Sequence, residues 1–300
     1  MRIGVDLGGT KISIVALAET GEPLFERRID TPREDYHGTI GALRQLVTAA
    51  KSATDQNASV GIGMPGSLSP RTGRVQNGNS TWLNGKPFQK DLELALGCKV
   101  RLANDANCFA LSEAVDGAAK DHNNVFGVII GTGCGGALVV NKKLINGPRN
   151  ITGEWGHVPL PWMRKEEHPG PLCWCGQLGC METFVSGPAL ALDHFQQTGQ
   201  QMSAHLLHQH AQDGDKAALA SLSRHSSRLA RGLAMVSNIF DPDVIVLGGG
   251  LSQMSHLYEQ LPELIAPYLF TDNRQALVLP PLHGDASGVR GAAWLWEKQS

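Results

Sequence analysis

Three cysteines fall within eight positions of the chain, Cys173, Cys175 and Cys180 in CWCGQLGC, and His157 in GEWGH stands sixteen residues before the first of them. One turn of backbone can present thiolates at C-x-C-x₄-C spacing to a single metal, and closed zinc sites take four sulfur or nitrogen ligands in a tetrahedron. His157 is the leading fourth ligand, giving Cys₃His. The weaker candidates are His168, in a charged loop flanked by Pro and Gly, and Cys134, in a glycine turn. Four protein ligands leave no position for water, so the expected zinc is structural. Glu154 lies three residues before His157 and Glu182 two after Cys180. A metal that pins the segment 153–184 fixes both acids and leaves His157 one ring nitrogen for a ligand. Two carboxylates and an imidazole aimed at one place suit a polyol, and Asn79, in GNSTWL, could add a further contact.

Three glycine turns, each closing an apolar strand, suit phosphate: Asp6-Leu-Gly8-Gly9-Thr10-Lys11, Gly131-Thr132-Gly133 and Gly248-Gly249-Gly250. Without side chains in the way, backbone N–H groups can converge on an anion. None of the turns is the GxxxxGK[ST] loop or a GxGxxG opening a helix. Thr10 and Thr132 offer hydroxyls, whereas Asp6 can meet phosphate only through a cation, which points to Mg²⁺. Asn104 and Asp105 end a short strand and open a helix. Asp105 is expected to serve as N-cap there, with its pKa held low by the helix terminus, and to accept the proton of an attacking hydroxyl.

The elements that must position these groups come in two similar halves. RIGVDLGGTKISIVAL reads as strand, glycine turn, strand, and VFGVIIGTGCGGALVV repeats the design from about residue 123. Helices are expected over 37–53, 89–96, 105–119, 189–195, 202–210, 217–240 and 288–297, with strands in SVGIGM, KVRLAN, DVIVLGGG and QALVLPP. The chain has 300 residues, a net charge of −2 and 42% hydrophobic residues, enough for a substantial core and too balanced for a basic nucleic-acid surface. No apolar run is long enough to span a membrane and no signal peptide opens the chain, so a cytoplasmic protein is expected.

On VDLGGTK, IGTGCGGAL, GEWGH, CWCGQLGCME and DVIVLGGGLS the chain resembles the ROK-family sugar kinases of the actin-like ATPase superfamily, from end to end. GEWGH together with C-x-C-G-x₂-G-C-x-E is highly specific; DLGGT alone is only moderately so. The likeness is greatest to bacterial fructokinases, also described as manno(fructo)kinases. It implies an α/β, two-domain actin-like (ribonuclease H-like) fold with a cleft between the domains. The N-terminal domain would be 1–121, completed by a C-terminal helix at about 288–300; the C-terminal domain would be 122–287, with the zinc-binding insert 153–184. The activity implied is ATP-dependent phosphorylation of a hexose at its 6-hydroxyl, D-fructose first and mannose also. Glucose, N-acetylglucosamine, N-acetylmannosamine and allose are the alternatives, and a non-catalytic sugar sensor is the rival of another class.

Residue by residue, the resemblance makes Asp105 the catalytic base and sets Asn104, Glu154, His157 and Glu182 on the sugar, with Asn79 a less firmly placed member. Asp6, Gly8, Gly9, Thr10 and Lys11, with Gly131, Thr132, Gly133, Gly248 and Gly249, would surround ATP and Mg²⁺. His157, Cys173, Cys175 and Cys180 would hold Zn²⁺. A homodimer is implied as well, and Cys134 stands where many relatives carry Ile or Val. Many family members carry a winged helix-turn-helix ahead of this fold; beginning at its first strand, this chain is expected to lack one.

Overall fold

The computed structural model describes residues 1–78 and 80–296. Asn79 lies outside them, as does residue 297; the last helix, expected over 288–297, already ends at Ala293. Two compact units form, one of residues 1–121, 142–152 and the chain from Leu282 on, the other of 122–141 and 153–281. Residues 142–152, expected in the second unit, group with the first, where the Asn150 side chain donates to the Leu68 carbonyl at 3.0 Å.

In the first unit β1 (Arg2–Leu7) pairs antiparallel with β2 (Lys11–Leu17), and β2 with β3 (Pro23–Asp30). Helix α1 (Tyr36–Ala53) leads to β4 (Ser59–Met64), a small hairpin of β5 (Ser67–Leu68) and β6 (Val75–Gln76), α2 (Phe88–Leu96), β7 (Val100–Asn104) and α3 (Asp105–Val115). The sheet order is β3-β2-β1-β4-β7, with β1, β4 and β7 parallel. β1 and β4 are buried along almost their whole length, which is why they read as apolar runs rather than as alternating strands. The register sets Asp6 opposite Gly63, and Gly63 opposite Ala103, so Asp6 and Asn104 emerge at one end of the sheet.

The second unit repeats this plan. β8 (Asn124–Ile130) pairs antiparallel with β9 (Cys134–Val140) and parallel with β11 (Val244–Gly248), which pairs in turn with β12 (Val278–Leu279); the two-residue strand β10 (Lys143–Leu144) falls in the segment 142–152. Its helices are α4 (Glu182–Val185), α5 (Gly187–Thr198), α6 (Ala204–Gln212), α7 (Lys216–Phe240) and α8 (His256–Ile265). Each unit has its own apolar core, around Phe126, Leu229 and Leu247 here and around Ile3, Val5, Ile62 and Leu43 in the first. Among the described residues no helix is long and apolar enough to cross a membrane.

Helix α9 (Ser287–Ala293) returns to the first unit and lies against β1, β4 and α3. The approach needs glycine: a Cβ on Gly4 would sit 2.1 Å from the Val289 carbonyl oxygen, and one on Gly61 1.9 Å from that of Ala292. Glu113, wholly buried in α3, anchors this return by accepting from the Ser287 hydroxyl at 2.7 Å and the Leu282 amide at 3.0 Å. It also takes the Ala118 amide at 2.8 Å, and so α3, expected to reach 119, stops at Val115.

Candidate functional site

In the first unit, β1 delivers Asp6 to a turn closed by the Gly8 amide on the Lys11 carbonyl at 3.0 Å. The Lys11 side chain does not face this turn; it pairs with Asp30 across the β2–β3 edge. β7 delivers Asn104, and here the structure corrects an expectation. Asn104, not Asp105, caps α3: its side-chain oxygen accepts from the Ala106 and Asn107 amides at 2.7 and 3.3 Å. Asp105 is the first helical residue, with one carboxylate oxygen on the Ala106 amide at 2.8 Å.

The pKa of Asp105 is likewise not held low. Its carboxylate reaches solvent but is densely surrounded by protein, and this desolvation raises the pKa against the lowering effect of the Ala106 amide. Asp6 is pushed up to about 6, first by burial and then by the negative charge of Asp105, with Arg28 opposing. The thiol of Cys108, buried near both acids, is raised far enough to stay neutral. Two carboxylates thus share one neighbourhood, each more basic than an ordinary aspartate.

In the second unit, the turn Gly131–Gly133 is closed by the Gly131 amide on the Gly133 carbonyl at 3.0 Å and held to α5 by the Gly187 amide on the Gly131 carbonyl at 2.7 Å. Gly248–Gly250 lies beside it. Gly249 has φ +80°, and a Cβ there would sit 2.5 Å from the Ile130 carbonyl oxygen; a Cβ on Gly131 would come within 3.6 Å of the Gly250 amide. Gly249 therefore admits no side chain, while Gly131 and Gly250 stand in ordinary contact. Thr132, between its glycines, is exposed.

The cysteine cluster is a single site. His157, Cys173, Cys175 and Cys180 bring one ligand atom each within 4.8 Å of the others. His157 Nδ1 lies 3.6 Å from Cys173 Sγ, and Cys175 Sγ lies 3.6 Å from Cys180 Sγ. Zn–S and Zn–N bonds of the usual length at tetrahedral angles call for separations of about 3.8 Å for S···S and about 3.6 Å for S···N. The residues fit zinc. Donor chemistry agrees: burial raises the Cys173 and Cys180 thiols, Cys180 to about 12, while the Gln177 amide lowers Cys175, so three thiolates are tenable together only around a cation. His168 and Cys134 take no part in the cluster.

The insert that carries this site is tied down at several points. A Cβ on Gly156 would sit 2.0 Å from the Cys134 carbonyl oxygen, so 153–157 lies directly on β9, with Trp155 packed edge-on against Phe126. Glu154 and His157 are thereby held at the two ends of a single 3-10 turn. Further along, Glu167 accepts from Arg231 at 2.7 and 2.8 Å and from Arg228 at 3.0 Å, anchoring the insert to α7.

Glu182 opens α4, and its carboxylate links the insert to the glycine turn. Trp174 Nε1 donates to one oxygen at 2.7 Å and the Cys134 amide to the other at 3.0 Å. The Trp174 ring also stands edge-on to His157, with centroids 4.8 Å apart. The role of Trp174 is invisible in the sequence, where it is one residue between two cysteines; its C-x-C position was the only available signal.

Comparison with known proteins follows the same lines. The family model described as ROK family matches residues 2–299. The N-acetyl-D-glucosamine kinase of Citrobacter koseri is 40% identical over 98% of this chain and 99% of its own length. Among solved structures, the ROK hexokinase of Thermus thermophilus superposes with a TM-score of 0.86 at 30% identity, covering 98% of this chain and 97% of that one. The ROK glucokinase of Streptomyces griseus, solved with glucose and AMPPNP, gives 0.75 at 28% identity, covering 97% of each chain. The α/β actin-like fold is thereby shown.

Proposed function

The chain belongs to the ROK family and is a sugar kinase, and from that premise we propose that it is an ATP-dependent N-acetyl-D-glucosamine kinase, forming the 6-phosphate. One observation carries the choice of sugar: relatives about two-fifths identical over nearly the whole chain are N-acetyl-D-glucosamine kinases. D-Fructose, foremost in the sequence expectation, gives way to it.

In this reading Asp105 is the base. Its raised pKa suits proton acceptance better than the low value expected of a helix N-cap, because a more basic carboxylate takes up a proton with greater driving force. Asn104, with its carbonyl oxygen engaged as the cap, has its side-chain NH₂ to offer a sugar hydroxyl. Glu154 and the Nε2 of His157 face the sugar from the insert. Glu182 joins them with lone pairs left over, since an ionised carboxylate accepts about four hydrogen bonds. Asn79 is carried over from the resemblance alone.

The three glycine turns cradle ATP, with Thr10 and Thr132 adding hydroxyls. Asp6 would hold Mg²⁺, which when bound neutralises charge on the transferred phosphoryl group; a carboxylate raised to about 6 beside a second acid is one that a cation would return to its ionised form. Zinc on His157, Cys173, Cys175 and Cys180 would supply a cross-link and no chemistry of its own. A homodimer is carried over from the family resemblance.

The test is initial-rate ADP release with Mg-ATP across N-acetylglucosamine, N-acetylmannosamine, glucose, mannose, fructose, allose and no sugar. The highest kcat/KM is expected with N-acetylglucosamine. A higher value with any other sugar would replace the assigned substrate, and no sugar-dependent release by folded, zinc-replete protein would leave the sensor reading standing.

A further inference from the structure

Ser80 is 2% exposed, and among the described residues its hydroxyl oxygen is buried with no hydrogen-bond partner. It occupies the N-cap position of the 3-10 turn Thr81–Leu83, where a serine hydroxyl ordinarily accepts from the backbone amides that follow, yet it makes no such bond. The hydroxyl faces the first glycine turn instead: a Cβ built on Gly9 would lie 3.9 Å from Ser80 Oγ, with no other atom outside the turn within 4 Å. The backbone of Gly9 therefore fronts an unmet buried hydroxyl. Buried hydroxyls are costly to leave unpaired, and one that stays so in a folded protein calls for an explanation, a role in catalysis among them.

We propose that Ser80 is a catalytic residue that donates its hydroxyl hydrogen to a non-bridging oxygen of the phosphoryl group in transfer, seated before Gly9. This rests on the kinase reading above and adds to it a residue that neither the motifs nor the resemblance assigns. Ser80 forms no covalent bond and gives up no proton; it adds one fixed donor to the backbone amides of the turn. A donor directed at charge that develops during transfer stabilises the transition state more than the bound substrates, so its signature falls on kcat.

The experiment compares wild type with Ser80→Ala by steady-state kinetics with Mg-ATP and N-acetylglucosamine and by thermal melting. Ser80→Ala is expected to lower kcat about 10- to 100-fold, to leave both KM values within about threefold, and to keep or raise the melting temperature, because the substitution removes an unpaired buried group. Retention of kcat within twofold would overturn the proposal. So would a loss confined to the KM for sugar, which would make Ser80 a ground-state sugar contact, or a kcat loss accompanied by a markedly lower melting temperature, which would make its role structural. A second readout needs no turnover: the rise in melting temperature produced by Mg-ADP with aluminium fluoride should be smaller for Ser80→Ala than for wild type, while the rise from Mg-ADP alone should match. Equal rises with aluminium fluoride would count against Ser80. Wild type without any sugar-dependent rate would instead count against the kinase reading.

Discussion

Replacing Glu167 with Gln should loosen the insert that carries His157 and the three clustered cysteines, and the size of the effect can be worked from the ion pair. Arg231 is 1% exposed and meets Glu167 through two hydrogen bonds of 2.7 and 2.8 Å, with Arg228 and the Arg164 amide adding two more. Burial alone would raise the Glu167 pKa, but Arg231, the Arg164 amide and Arg228 outweigh it and hold the value at about 2 against an ordinary 4.5. A fall of about 2.5, at about 1.4 kcal/mol per pKa unit, corresponds to about 3 kcal/mol at neutral pH. The cover over Glu167 is thin, so solvent screening trims this toward about 2 kcal/mol, while leaving Arg231 without its anion pushes the cost of Glu167→Gln back to about 3 kcal/mol.

For a unit of this size that is about 6–12 °C in melting temperature. The folded pKa is depressed, so the stabilisation is fully present above about pH 4.5 and is lost as pH falls toward about 2. Thermal melts of wild type and Glu167→Gln at pH 7 and at pH 4 read both parts. The gap should be largest at pH 7 and narrower by about 1 kcal/mol at pH 4. A gap below about 2 °C at pH 7, or one that fails to narrow in acid, would refute the reasoning.

Asp105→Asn should cut kcat by two or more orders of magnitude with circular dichroism and zinc content unchanged; retained turnover would remove Asp105 from the role of base. Cys175→Ala should lose zinc, measured by elemental analysis, and raise the KM for sugar with it, since the same insert holds Glu154 and His157; full zinc content in the variant would undo the ligand set. The acid limb of kcat/KM should lie near pH 6, well above an ordinary aspartate, because activity falls as Asp6 is protonated at about 6, with the upward shift of Asp105 acting in the same direction. A profile flat down to pH 4.5 would contradict it.

Local patterns carried the elements and the cysteine–histidine cluster. The paired strand–glycine turn–strand segments and the C-x-C-x₄-C cluster depend on residues near one another in the chain, and each sits where its spacing places it. What could not be read locally depends on tertiary surroundings. Asn104 and Asp105 are equally good caps by type, and only the β7–α3 geometry selects Asn104. The raised pKa of Asp105 comes from protein packed around it, against a helix terminus that favours a low one. Glu182 reads as a sugar ligand from its place after Cys180, whereas its bond to the Cys134 amide spans 48 residues. Ser80 is one polar residue among several in a loop, and its unmet hydroxyl appears only once Gly9 is folded in front of it. Choosing between hexoses depends on where loop atoms stand rather than on which residue types are present, which is why fructose and N-acetylglucosamine were not separable by motif.

The most direct measurement is of the product itself. The protein, incubated with Mg-ATP and N-acetyl-D-glucosamine, should yield a sugar phosphate whose proton-coupled phosphorus NMR signal is the triplet of a phosphate on a CH₂ group, as the 6-phosphate requires. A doublet, from a phosphate on a ring carbon, or the absence of any phosphorylated sugar, would contradict the account.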